Sequence, residues 1–256
     1  MFESTLPQGE PELMRASSYI RYLDEMDGSP WAANGLVLGT RLSGLSPSLQ
    51  ADLLRYEDKR WVGDSLDVLE VMAASVRHAK GVTIHCQSKD RAVPLTVFPQ
   101  QHSVHCPLSL NGLDADALAK LTVLHVEPAV LQPPSEDPLV WSLEQSYHYS
   151  LAPWLWALAW YGARCELLPE IAGLAAYRVG PSTGWERFPM PEHIQAAVNR
   201  MRGNSVNLRE LMLWPGLSRE LAIRLLNALY LQGGLIVSRT HPGAANESWF
   251  GGLGRG

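Results

Sequence analysis

The feature that most constrains the fold is an apolar, tryptophan-rich run at residues 151–163, LAPWLWALAWYGA. Leucine and tryptophan side chains cover nearly every side of a helix built from this run, so the helix must be buried on most faces or lie at an interface. A bilayer-spanning helix needs about 20 apolar residues, and the run is shorter. We predict a buried helix, with Trp154, Trp156 and Trp160 in a core or, alternatively, on an interaction surface.

Composition supports a globular chain, and a cytoplasmic location is expected by default. The 256 residues are 46% hydrophobic and 18% charged, which suits one large domain or two small ones. A net charge of −5 argues against a protein that coats nucleic acid or an anionic membrane with its whole surface. Three cysteines without a CxxC pair do not indicate a disulfide framework, and the first residues lack the pattern of a secretory signal.

The N-terminal part alternates helical and strand patterns. Apolar spacing predicts a first helix at 10–27 and a further helix that Asp64 caps and Gly81 ends. Strands at 82–87, 92–98 and 103–108 have the spacing of a β-meander, and Pro94 is expected to place the middle strand near an edge or a bulge. The remaining predicted elements are strands at 35–40 and 59–63, one or two helical turns within 45–58, a helix at 114–121 and a strand at 122–131.

This order of elements resembles roadblock/dynein-light-chain and profilin-like α/β domains. The resemblance covers residues 10–131 and implies a dimerising platform that binds proteins. A proline-rich stretch, QPPSEDP, then indicates a linker. The predicted organisation is a domain at 1–131, a linker with the tryptophan-rich helical segment at 132–189, a module at 190–245 and a flexible tail at 246–256.

The module at 190–245 has the signals of three helices and a strand. Asn207 and Ser218 are suited to cap the second and third helices, with a Trp-Pro-Gly turn between them, and two glycines precede a strand at 235–239. This order resembles a winged-helix module. The predicted fold class is therefore α+β, with an N-terminal antiparallel sheet and helices, a helical segment and a C-terminal winged helix.

The winged-helix resemblance implies a surface that could contact DNA. In DNA-binding members the third helix enters the major groove with its exposed side chains. Here those residues would be Arg219, Arg224 and Asn227, with Arg239 and His241 on the wing. Residues 190–245 include six arginines and three glutamates. This is a small excess of positive charge for neutralising DNA phosphates.

Histidines and cysteines are dense between residues 85 and 125. His85, His105 and His125 could share one face of a sheet and bind zinc, whereas Cys86 and Cys106 would point to the opposite face. A Cys–His nucleophilic pair is a further alternative. Buried histidines and cysteines without chemistry are the simpler interpretation, and no cofactor is expected.

These patterns favour a non-enzymatic regulatory or adaptor protein that acts through protein–protein contacts, as a dimer or with a protein partner and without a membrane. The first alternative is a DNA-binding regulator that uses the C-terminal helix. The second is a metal- or thiol-dependent enzyme that uses the His/Cys cluster.

Overall fold

The computed structural model describes residues 13–26, 45–60, 67–131, 147–181 and 184–247. The chain divides into two compact units, Met1–Leu151 and Ala152–Gly256. Both contain helices and antiparallel strands, so the predicted α+β class is confirmed. The division falls some twenty positions after the predicted domain end at residue 131, because a short strand just before Leu151 belongs to the N-terminal sheet.

The described helices of the N-terminal unit are α1 (Ala16–Met26), α2 (Pro47–Arg60), α3 (Val68–His78) and α4 (Ala115–Ala119). Helix α3 begins at Asp67, whose carboxylate accepts a hydrogen bond from the Leu69 N–H at 3.0 Å. It ends at Ala79, which takes a left-handed conformation. The predicted cap, Asp64, lies outside the described residues, as does the predicted strand at 35–40. The strand predicted at 59–63 is wrong at its first two residues, which end α2.

A five-stranded antiparallel sheet forms the centre of this unit, in the order β4-β1-β2-β3-β5. The strands are β1 (Val82–Ser88), β2 (Arg91–Phe98), β3 (Ser103–His105), β4 (Thr122–Pro128) and β5 (His148–Ser150). The predicted β-meander of β1, β2 and β3 is confirmed. The sequence did not indicate β5, since a strand of three residues carries too little alternation to recognise.

Pro94 lies in the part of β2 that has a strand partner on one side only, in agreement with the expected position near an edge or a bulge. Strand β2 pairs with β1 along its whole length, and Pro94 is opposite His85. On its other side, β2 pairs with β3 only over its last three residues. Position 94 therefore has no β3 residue opposite it, and proline is tolerated there because it interrupts no ladder on that side.

The two faces of the sheet differ in polarity. Ile84 and Leu95 are cross-strand partners on one face and are at most 2% exposed, which makes this face part of the core. On the other face Thr83 and Thr96 are partners, and their hydroxyl oxygens lie 3.0 Å apart. Burial of the apolar face fixes the register, because a slip of one residue would exchange the two faces.

The described helices of the C-terminal unit, together with the helix that enters it at Leu151, are α5 (Leu151–Tyr161), α6 (Glu192–Gly203), α7 (Leu208–Leu211) and α8 (Arg219–Leu231). Its strands are β6 (Ala176–Val179), β7 (Val206–Asn207) and β8 (Leu235–Ser238), in the order β7-β6-β8. Strand β6 precedes the predicted module and supplies the centre of its sheet, a feature that the sequence did not indicate.

Capping residues define the short helices of this unit. The Asn207 side chain accepts from the Glu210 N–H at 2.8 Å, and the Glu210 carboxylate accepts in turn from the Asn207 N–H, which completes a capping box. The Ser218 hydroxyl accepts from the Leu221 N–H at 3.2 Å and starts α8. Both caps lie where the sequence predicts them.

Helix α5 is formed by the apolar, tryptophan-rich run. It has eleven residues, and Trp154 and Leu158 on it are at most 2% exposed. In the part of the chain that the structure describes, no helix combines the length and the apolar character needed to cross a bilayer.

The turn before α8 requires glycine at position 216, because the His193 ring lies close to it. Gly216 has a φ of +78°, and a Cβ built there would lie 2.8 Å from the Cδ2 atom of the His193 ring. Gly233, at the end of α8, has a similar φ of +69° but no atom within 4 Å of its Cβ position. The two glycines therefore share the backbone requirement and differ in the space available.

We expect Gly216→Ala to lower the free energy of unfolding more than Gly233→Ala. The left-handed conformation costs an L-residue about 1 kcal/mol at either position, and the collision with His193 adds to that cost only at position 216. Urea unfolding of both variants measures the difference. His193→Ala should restore most of the additional loss in the double variant, and equal losses for the two single variants would contradict the collision.

Candidate functional site

Three histidines project from one face of the N-terminal sheet, as their alternation predicts. His85 of β1 is the cross-strand partner of His125 of β4, with a bulge just beyond the pair. On β3, His105 lies opposite Thr96 of β2, two residues from Pro94, the partner of His85. Since alternate residues of a strand point to the same side, the three imidazoles share a face.

The same register separates His105 from the other two histidines. Strand β2 lies between β1 and β3, so His105 is two strand spacings, roughly 10 Å, from His85. Its ring packs instead against His148 of β5, with the centroids 4.8 Å apart. Among the described residues, no group of three or more His, Cys, Asp or Glu side chains is placed to hold a metal ion. The ligand set of His85, His105 and His125 is therefore not assembled.

Glu127 of β4 holds the remaining histidine pair. The Nε2 atom of His85 lies 2.8 Å from one carboxylate oxygen of Glu127, and that of His125 lies 4.0 Å from the other. The Tyr19 ring of α1 stacks on His85 with the centroids 4.7 Å apart. A carboxylate at this distance fixes the tautomer and orientation of an imidazole. Cys86 projects from the opposite face of the sheet, so no thiol lies beside His85 and Glu127. Through the ring of Tyr19, this histidine–carboxylate pair instead links α1 to the sheet.

The two sheet cysteines are unsuited to nucleophilic chemistry. Cys86 and Cys106 are each 1% exposed. Burial raises the pKa of Cys106 to about 12, and burial together with the proximity of Cys106 raises the pKa of Cys86 well above its usual range. Because the thiolate is the reactive form, both thiols are inert near neutral pH.

We expect one of the three thiols to react with a maleimide in the folded protein. Cys165 is exposed, whereas Cys86 and Cys106 are buried. Mass spectrometry should therefore show a single adduct under native conditions and three adducts in denaturant. In Cys165→Ser the native adduct should disappear, and rapid labelling of a second thiol in the folded chain would contradict the burial.

His105 has an environment that disfavours its charged form. Burial, and then the neighbouring His148, lower the pKa of His105 below its ordinary value. Its Nδ1 atom is buried and has no hydrogen-bond partner in the described part of the chain. The folded state therefore holds this imidazole neutral.

Stability should consequently fall as the pH is lowered through about 6.5, the ordinary pKa of an unfolded histidine. Below that pH the unfolded chain binds the proton that folded His105 resists, whereas above it the contribution of His105 to stability is fully retained. Urea midpoints at pH 7.5 and 5.5 measure the loss, which His105→Gln should reduce. His102→Asn, at an exposed neighbouring position, is the control and should leave the pH dependence unchanged.

Arg224, predicted to contact DNA, caps a helix instead. Its Nη1 atom donates to the carbonyl oxygens of Trp160 and Gly162, at 2.6 and 3.0 Å, at the end of α5. Its Nε atom donates to Glu220 at 3.0 Å, and the side chain is 14% exposed. A guanidinium at the carboxyl end of a helix satisfies free carbonyl groups and complements the helix dipole.

Asn227 is buried, so its predicted exposure on α8 is wrong. Only 1% of the residue is exposed. Its amide oxygen accepts from the Leu168 N–H at 2.9 Å, and its amide nitrogen donates to the Glu166 carbonyl at 2.9 Å. Helix α8 therefore has a second buried side, and Asn227 lies on it.

Arg239 has a similar structural role beyond α8. Its two terminal nitrogens donate to the carbonyl oxygens of Ala172 and Glu170, at 2.9 and 3.0 Å. Arg224, Asn227 and Arg239 thus all hold the irregular chain between α5 and β6. Of the four predicted DNA contacts, only Arg219 is exposed at the start of α8 without a side-chain hydrogen bond among the described residues.

The tryptophans of α5 belong mainly to the core. Trp154 and Trp156 are 1% and 5% exposed, which contradicts an interaction surface at these two positions. Trp160 is partly exposed. The Trp156 ring stacks between Phe188 and Trp160, with centroid distances of 4.7 and 5.7 Å. These rings supply internal packing of the C-terminal unit.

A surface that the sequence analysis did not single out lies at the turn between α7 and α8. The guanidinium of Arg200, on α6, lies over the Trp214 ring at 4.2 Å from its centroid. Leu213 beside it is 80% exposed. Arg209 is exposed in the short helix α7, four residues before Leu213 in the chain. We call Arg200, Arg209, Leu213 and Trp214 the turn surface.

The sequence contained only part of the signal for this surface. The Trp-Pro-Gly stretch was interpretable as a turn, and Arg200 as one of several charges. Their contact joins residues fourteen positions apart and depends on how α6 packs beside the turn.

No family model, curated protein or solved structure matches the chain.

Proposed function

We propose that this chain is a non-enzymatic regulatory or adaptor protein of the cytoplasm that acts through protein–protein contacts, with the winged-helix-like module as a contact module. The observation that carries the proposal is the exposure of Leu213, 80%, beside the Arg200–Trp214 stack. Arginine and tryptophan are the residue types that most often dominate the binding energy of protein interfaces.

The partners of the other candidate residues support this choice over the two alternatives. Arg224, Asn227 and Arg239 already donate to backbone carbonyl groups of their own unit. A DNA contact through them would have to break these hydrogen bonds, which leaves Arg219 as the main support for a DNA-binding regulator. The burial and raised pKa values of Cys86 and Cys106 weigh against a thiol-dependent enzyme.

The test is affinity capture with the full-length chain from a lysate of its source organism, quantified by mass spectrometry. Leu213→Asp places a charge on the turn surface and should reduce capture of a true partner at least about tenfold. Leu174→Asp is the matched control, because Leu174 is also an exposed leucine of the C-terminal unit, at 52%. It should leave capture unchanged.

Two results would contradict the proposal. One is a set of captured proteins that Leu213→Asp does not alter. The other is micromolar binding to generic duplex DNA that weakens steeply with salt and is lost in Arg219→Ala, which would favour the DNA-binding alternative.

A further inference from the structure

We infer that the turn surface binds an acidic protein segment that carries an apolar anchor residue. The inference rests on the proposed function and adds to it the chemistry of the partner. It is supported by the charge and exposure of Arg200, Arg209, Leu213 and Trp214.

Arg200 is a preorganised cation whose donors are available. Its guanidinium lies 4.2 Å from the Trp214 ring centroid. Within the described residues its side chain forms no ion pair or hydrogen bond, whereas Arg202 pairs with Glu186 and Arg224 pairs with Glu220. The contact with the ring leaves its N–H groups without an acceptor side chain in the described part of the chain, and a guanidinium can bind a carboxylate with two hydrogen bonds.

Arg209 supplies a second cation on the same surface. It is exposed, and no acidic side chain of the described residues pairs with it. The adjacent carboxylate of Glu210 is directed back to the N–H of Asn207 in the capping box. The C-terminal unit as a whole has ten arginines, seven glutamates and no lysine or aspartate, a net charge of +3. The potential at the turn surface therefore favours an anionic partner.

The exposure of Leu213 favours a protein over a nucleic acid as the partner. An aliphatic side chain that is 80% exposed beside an indole gains little from phosphates, but it can bury itself against an apolar side chain. Affinity for nucleic acid comes largely from many phosphate contacts, and two arginines provide few. A protein segment with carboxylates around an apolar residue would complement both the arginines and Leu213.

The probe is a short fluorescein-labelled peptide that repeats Glu-Leu-Glu, measured by anisotropy with the full-length chain. A matched peptide with Gln in place of Glu tests the charge, and a short duplex DNA tests the other class of partner. We expect the Glu peptide to bind more tightly than the Gln peptide. Arg200→Ala should weaken it roughly tenfold, since a hydrogen bond to a charged group is lost.

Two further variants make the result specific. Arg200→Lys keeps the charge but loses the planar stacking, and should lose part of the affinity. Arg178→Ala removes an exposed arginine from strand β6 and should change binding less than about twofold. Circular dichroism of each variant establishes that it is folded.

The outcomes separate this inference from the proposed function. Equal binding of the Glu and Gln peptides, or no peptide binding, overturns the acidic partner; protein capture that depends on Leu213 would then still support the proposed function. Duplex DNA that binds more tightly than the Glu peptide, and loses affinity in Arg200→Ala, overturns both.

Discussion

Asn227→Ala is expected to lower the free energy of unfolding by about 2–4 kcal/mol, because it removes a buried amide that hydrogen-bonds two backbone groups. The Leu168 N–H, on a residue with no exposed surface, loses its acceptor, and the Glu166 carbonyl loses a donor. Alanine is too small to fill the space or replace either bond. Urea unfolding followed by tryptophan fluorescence measures the change.

Asn204→Ala is the matched control for this substitution. Asn204 is exposed, and its side chain makes a single hydrogen bond of 3.2 Å to the Arg200 carbonyl. Its loss should cost less than about 1 kcal/mol, since water can replace the bond. Asn227→Asp keeps the acceptor for Leu168 but not the donor for Glu166, and it should also destabilise the fold. An unchanged midpoint for Asn227→Ala would show that these bonds contribute nothing to stability.

Trp154→Ala should have the largest effect of any single substitution considered, about 3–5 kcal/mol. Trp154 is 1% exposed on α5, so alanine leaves a cavity that the close-packed surroundings can only partly fill. Thermal and urea unfolding both report the loss. Trp154→Phe keeps an aromatic ring and should retain a substantial part of the stability.

Tyr161→Ala, on the same helix, is the control for Trp154→Ala. Tyr161 is 45% exposed, and its removal should cost less than about 1 kcal/mol. If the two substitutions had equal effects, α5 would not present Trp154 to the core. That result would revive the alternative in which the tryptophans form an interaction surface.

Local signals predict the regular elements well and the short strands poorly. Ser218 starts α8 where a capping residue was expected, and the first two strands of the β-meander lie within one residue of their predicted bounds. Its third strand has only three of the six residues predicted. In contrast, β5 and β6 have three and four residues and exist through partners distant in sequence. Pro94 was expected near an edge or a bulge, and it lies in the part of β2 that β3 does not reach.

The candidate sites depended still more on long-range packing. Alternation alone placed His85 and His105 on one face, but it could not say that β2 lies between them. Helical periodicity identified one buried side of α8, whereas Asn227 is buried by a segment about sixty positions earlier in the chain. Arg200 and Trp214 meet only because α6 lies beside the turn between α7 and α8, an arrangement that no single window of sequence contains.

The chain between α5 and β6 has the form of a loop, yet we expect it to resist proteolysis at Arg164 more than a free loop would. Polar side chains from α8 and from Arg239, just after β8, bind this segment and the end of α5 at five carbonyl groups and one amide group. Arg164 within it is 9% exposed and donates to the Leu167 carbonyl, which hides an obvious trypsin site. Since these hydrogen bonds tie the segment to α8, we expect it to be less mobile than a free loop, and cleavage at Arg164 should report on its local opening.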